Sequence, residues 1–121
     1  MSTKTVLVVD DELGSAEILA MILDEAGFKA YSEVNGRLAL ERAGEVIPDV
    51  IVTDYMMPLM NGAELARALR ADDRFSKTRI ILTSALPEFS LSGCIDGYDA
   101  YIRKPFKVDS LLALLEQCFG R

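Results

Sequence analysis

The chain contains no histidine. That absence removes Ser-His-Asp and Cys-His catalysis at once, because both need an imidazole to move a proton. Cysteine is scarce too: Cys94 and Cys118 stand alone, with no CxxC spacing. This argues against a structural zinc site and makes reduced thiols in a cytoplasmic setting the expectation. No apolar run approaches the roughly twenty residues of a membrane span. Met1-Ser2-Thr3-Lys4-Thr5 leads straight into the first apolar run and leaves no room for a signal peptide. Positive charge is in short supply: 13 Lys+Arg stand against 19 Asp+Glu, for a net charge of −6. Such a balance argues against a nucleic-acid surface and against adsorption to anionic lipid.

What is present is apolar and orderly. Half of the 121 residues are hydrophobic, enough to bury the core of one domain spanning 1–121 but not of two. Two short runs rich in β-branched residues, Val6-Leu7-Val8-Val9 and Val50-Ile51-Val52-Thr53, read as buried strands. Each ends in acid: Asp10-Asp11 after the first and Asp54 after the second. In a parallel sheet both strands end on one edge, so the three carboxylates converge. Their repulsion calls for a bound cation, a nearby lysine or proton sharing.

Strand and helix alternate along the rest of the chain. Glu12 to Ala26 carries Ile18, Leu19, Ile22, Leu23 and Ala26 as the apolar face of a first helix, which Gly27 can terminate. Phe28 to Ser32 reads as a second strand, and Asn35-Gly36 opens a helix to about Ala43. A third helix is expected over about 61–71, and Arg79 to Ser84 forms a fourth strand. A fourth helix is expected over 87–97, but Ser90, Ser92 and Gly93 make it short and weakly protected from amide exchange. Ala100 to Arg103 is the fifth strand, and Val108, Leu111, Leu112 and Leu115 mark the last helix. Five strands alternating with five helices imply a parallel sheet covered on both faces, an α/β fold. Ligands of such open sheets sit at the carboxyl ends of the strands.

The four strand ends carry Asp10-Asp11, Asp54, Thr83-Ser84-Ala85 and Lys104-Pro105. Together with Asp54-Tyr55-Met56-Met57-Pro58-Leu59-Met60-Asn61-Gly62 and Tyr101-Ile102-Arg103-Lys104-Pro105-Phe106, this constellation resembles the receiver domain of two-component and phosphorelay response regulators, the CheY-like superfamily. The resemblance covers essentially the whole chain. It implies a flavodoxin-like, doubly wound sheet of order 2-1-3-4-5 in three α/β/α layers. It implies that Asp54 accepts a phosphoryl group from a histidine kinase or histidine phosphotransfer protein. By the same resemblance, Mg²⁺ is held by Asp10, Asp11, Asp54 and the backbone carbonyl of Met56, an oxygen-only set that suits this ion. Lys104 then balances charge, and Ser84 donates a hydroxyl to the phosphoryl group. Thr83 and Ser84 point to opposite faces of the strand, and the family's hydroxyl-before-small-residue pattern selects Ser84-Ala85.

Ser84 and the strand-five aromatic, Tyr101, are the switch pair the resemblance implies. They report to the face formed by the fourth helix, fifth strand and last helix, where a downstream protein partner binds. Self-phosphorylation and autodephosphorylation are the only reactions expected. A phosphatase would show Asp-x-Asp after the first strand, and a flavin site there would need a hydroxyl- and glycine-rich loop that Asp10-Asp11-Glu12 does not provide. Met56, Met57 and Met60 read as gap-filling core in preference to an adaptable contact surface. Arg79 stands where a proline often precedes the fourth strand. No effector domain follows Arg121, so the expectation is a single-domain cytoplasmic regulator, monomeric or weakly dimeric on phosphorylation, or else a receiver excised from a longer protein.

Overall fold

Runs of β-branched residues become central strands only if both faces of the sheet are covered, and both are covered here. The computed structural model describes residues 3–12, 14–88 and 97–119. Its elements are β1 (Thr5–Val9), α1 (Ser15–Glu25), β2 (Lys29–Glu33), α2 (Gly36–Val46), β3 (Val50–Asp54), α3 (Gly62–Arg70), a 3₁₀ turn (Asp73–Phe75), β4 (Arg79–Ser84), β5 (Ala100–Arg103) and α4 (Val108–Cys118). The strands form one parallel sheet in the order β2-β1-β3-β4-β5. This is the order the resemblance implies. Four α-helices lie among the described residues. The expected fourth helix of the sequence, 87–97, falls largely on residues 89–96, outside the described residues.

Alternation along β1 divides the core in two. Val6 and Val8 join Ala16, Leu23, Leu111 and Leu115, so α1 and α4 cover one face. Leu7 and Val9 join Ala39, Leu65, Leu69 and Phe75, so α2 and α3 cover the other. Val6 through Val9 are each at most 2% exposed. Full burial of such side chains stabilises by about 1.5–3 kcal/mol each.

Helix ends follow their sequence signals. Gly27 adopts a left-handed φ of 105°, while Phe28 N–H donates to the Leu23 carbonyl and Gly27 N–H to that of Asp24. This is the Schellman arrangement that satisfies the orphan carbonyls of α1. Asn35 Oδ1 accepts from Leu38 N–H to open α2, and Asn61 with Glu64 forms a reciprocal capping box on α3.

Several boundaries and one face differ from expectation. α1 begins at Ser15, not Glu12, because Glu12 closes a loop on Ser15 through backbone and side-chain bonds of 3.1 and 3.0 Å. β2 starts one residue later, at Lys29, and α2 runs on to Val46. The buried face of α1 is Ala16, Ala20 and Leu23, whereas Ile18 and Ile22 are 60% and 36% exposed. The helix is apolar nearly all round, so periodicity alone does not choose its inner face. The alanine ridge lies against the sheet because small side chains allow close approach.

Candidate functional site

The parallel register delivers the strand ends to one edge. Val9 lies beside Thr53, and Asp54 beside Thr83, so Asp10, Asp54 and Ser84 emerge together above the sheet. Lys104 follows β5, and its backbone N–H donates to the Ser84 carbonyl at 2.8 Å. From there its side chain reaches across β4 and β3. Nζ lies 3.0 Å from Asp10 Oδ2 and 3.2 Å from Asp54 Oδ2. Asp10 is fixed further by Glu12 N–H, which donates to Oδ1 at 2.9 Å.

Carboxylate oxygens of Asp10, Asp11 and Asp54 all lie within 4.8 Å of one another. Asp10 is buried, Asp54 half-buried and Asp11 exposed. One ammonium therefore faces three carboxylates. Burial pushes the Asp54 carboxyl above its usual range, and the Asp10 and Asp11 charges push the same way against the pull of Lys104. For Lys104, burial alone would lower the pKa, but its hydrogen bonds to and the charges of Asp10 and Asp54 hold the ammonium above its ordinary value. The cluster is short of positive charge. Its oxygen-only donors, one exposed and two recessed, fit a small hard divalent cation such as Mg²⁺.

The remaining residues named from sequence are distributed as follows. Ser84 is buried at the end of β4, and its Oγ accepts from Leu86 N–H at 3.1 Å, which leaves its own proton free to donate. Tyr101 is half-buried against Ala63 and Leu82, with its hydroxyl buried and without a partner among the described residues. Met57 is core, as expected, and Met60 packs against that core. Met56 is not: its side chain is 61% exposed in the loop after β3, because that loop turns outward there.

Sequence reasoning quoted Gly62 but gave it no role. A Cβ at this position would lie 2.7 Å from the Asp54 carbonyl oxygen and 3.0 Å from Leu82 Cδ2. The first turn of α3 thus presses on the backbone of Asp54, and Gly62 N–H donates to the Tyr55 carbonyl at 2.8 Å. A glycine directly after a helix-capping asparagine was the available signal. Leu59 was also missed. It has a φ of 72°, is 90% exposed, and lies between Pro58 and Met60, whose carbonyl and N–H bond at 2.8 Å. That is a strained γ-type turn.

The model of the response regulator receiver domain family matches residues 6–116. The chain belongs to that family. Receiver domains are signalling modules rather than metabolic enzymes. The phosphate regulon transcriptional regulatory protein PhoB of Pseudomonas aeruginosa is 36% identical over 123 residues, covering all of this chain and 54% of that protein. This receiver domain spans about half the length of the curated relatives it matches. Among solved structures, the chemotaxis response regulator CheY4 of Vibrio cholerae superposes with a TM-score of 0.87 at 30% identity, over 97% of this chain and 99% of that one. TrrA of Thermotoga maritima, solved in complex with Mg²⁺–BeF, has a TM-score of 0.84 at 29% identity, over 96% and 99% of the two chains. The acidic cluster of this receiver fits the family's Mg²⁺ site. Among the described residues, no helix is long and apolar enough to cross a membrane.

Proposed function

We propose that this receiver accepts a phosphoryl group on Asp54 from a phosphohistidine of a kinase or phosphotransfer protein. The observation that carries the reading is the Lys104 ammonium held between Asp10 and Asp54 inside a cluster of three carboxylates. An Asp54 oxygen attacks phosphorus, the phosphorus–nitrogen bond of the donor breaks, and the imidazole leaves with the bonding pair. The product is an acyl phosphate. Lys104 stays in place to neutralise charge on the phosphoryl oxygens, where such fixed charges act most strongly. Ser84 donates its free proton to another of them. Asp10, Asp11 and the Met56 carbonyl are the residues that would hold Mg²⁺ with Asp54. When bound, that ion would add to the neutralisation of charge on the phosphoryl oxygens.

The same reading assigns the switch to Ser84 and Tyr101. It assigns the donor's seat to a groove of about 540 Å³ that runs from Asp10 and Lys104 past Pro105 and Phe106 onto Ile18 and Ile22 of α1. Exposed Ile18 and Ile22 beside an acidic site suit an apolar helix bearing a phosphoryl group. Output then passes through a protein contact, in keeping with the net charge of −6 and with a cytoplasmic setting. DNA binding, which the name of the relative MtrA carries, would need surface beyond this receiver.

Intact-mass analysis with phosphoramidate and Mg²⁺ tests the assignment. Wild type is expected to gain one phosphoryl group and Asp54→Ala none. An equal adduct in the variant would place the chemistry elsewhere.

A further inference from the structure

The exit from β4 is tied once to β5 and once to the residues just before it. Arg103 Nε donates to the Ala85 carbonyl at 3.1 Å. Farther along, the Tyr98 hydroxyl donates to Glu88 Oε2 at 2.6 Å. The Tyr98 ring packs with Tyr55 and Tyr101 against Ala63 and Leu82. Two of the three phenols in this small cluster have opposite fortunes. The Tyr98 hydroxyl is exposed and bonded to a carboxylate, whereas the Tyr101 hydroxyl is buried and bonded to nothing among the described residues. A buried donor without a partner is costly, and an exposed one can be satisfied by water.

Glu88 stands four residues past Ser84, on the segment that begins with the turn from Ser84 Oγ to Leu86 N–H. A shift of Ser84 toward a phosphoryl group on Asp54 must carry that segment with it. We propose that Glu88 is a shared acceptor, held by Tyr98 in the resting receiver and passed to Tyr101 when Asp54 is phosphorylated. This rests on Asp54 being the phosphoacceptor. One hydrogen bond is broken and one is made. Water takes over at the exposed Tyr98, and relief of the buried Tyr101 offsets the cost of carrying the exposed Glu88 carboxylate inward, so the two arrangements lie close in free energy. A modest bias from the Ser84–phosphoryl bond then suffices to move the population.

Calorimetric titration with beryllium fluoride in saturating Mg²⁺ tests this without a protein partner. Tyr98→Phe removes the competitor, so it is expected to bind the phosphoryl mimic about three- to tenfold more tightly than wild type. Tyr101→Phe is expected to bind more weakly by a similar factor. In a Glu88→Ala background both differences should vanish. Affinity in Tyr98→Phe equal to or below that of wild type would overturn the proposal, as would effects that persist without Glu88. Failure of the phosphoacceptor reading looks different: wild type and Asp54→Ala would then bind beryllium fluoride alike or not at all.

Discussion

Two clusters of opposite charge sit at opposite edges of the same sheet, and they are built on different plans. At the amino edge, Arg70 from the end of α3 makes four hydrogen bonds, to the Gly97, Phe75 and Thr78 carbonyls and to Asp99. Asp99 in turn accepts from Ile80 N–H and from Arg79. Donors and acceptors are matched, and two guanidiniums against one carboxylate leave the cluster positive. At the carboxyl edge, Lys104 is the one cation among the described residues that pairs with the cluster of Asp10, Asp11 and Asp54. The first cluster is finished and can only hold strands together. The second is left short of positive charge and so has affinity to spare for a cation and a phosphoryl group. Stoichiometry, rather than the presence of an ion pair, separates a staple from a reactive site.

The comparison breaks most sharply at the two basic residues. Lys104→Ala should slow phosphorylation by phosphoramidate by about 10²–10³-fold, the usual cost of losing one fixed charge or donor on a transition-state oxygen, as read by intact mass against time. Arg70→Ala should leave that rate unchanged but lower unfolding free energy by about 1–3 kcal/mol in urea denaturation. That is below the cost of a fully buried pair, because Arg70 and Asp99 are each over a quarter exposed. If the two variants exchanged these phenotypes, the distinction between staple and site would fall.

A smaller effect tests the charge deficit itself. The Asp54 pKa is raised by burial and by neighbouring carboxylates. Its contribution to stability is therefore fully present below the unfolded-state pKa and is lost as pH rises through the folded value. At neutral pH the ionised Asp54 opposes folding, and Asp54→Asn should raise the melting temperature by a few degrees. The gain should shrink as acid is added. An equal or lower melting temperature at neutral pH would show that Lys104 already neutralises the cluster. The smallest effect concerns Tyr98, whose phenol is held above the ordinary range by its bond to Glu88, by burial and by the Glu88 charge. That stabilisation is present below the usual tyrosine pKa and disappears as pH rises through the elevated one. Ultraviolet titration should show a late-titrating tyrosine that Tyr98→Phe removes.

How far the sequence carries depends on whether a signal is local. The strand-end acids were readable because β-branched runs stop abruptly at Asp10 and Asp54, and the start of α2 because Asn35-Gly36 is a signal of only two residues. The inner face of α1 was not, because Ile18, Met21 and Ile22 are as apolar as Ala16, Ala20 and Leu23. Arg70 and Asp99 are 29 residues apart and Tyr98 and Glu88 are 10 apart. Neither pair leaves a pattern until the sheet brings it together. Gly62 was visible as a glycine, but its contact with the Asp54 carbonyl depends on how α3 returns over β3.

The strict alternation of β1 has a consequence for production of the protein in the cell. Val6 and Val8 serve one core and Leu7 and Val9 the other, and Asp10 is the next residue in the same run. A slip of one residue in pairing with β2 and β3 would interchange both cores and turn the acid away from Lys104. Folding errors of this kind cannot yield a stable molecule with a silent site. Selection against misfolded chains therefore also screens for competent ones.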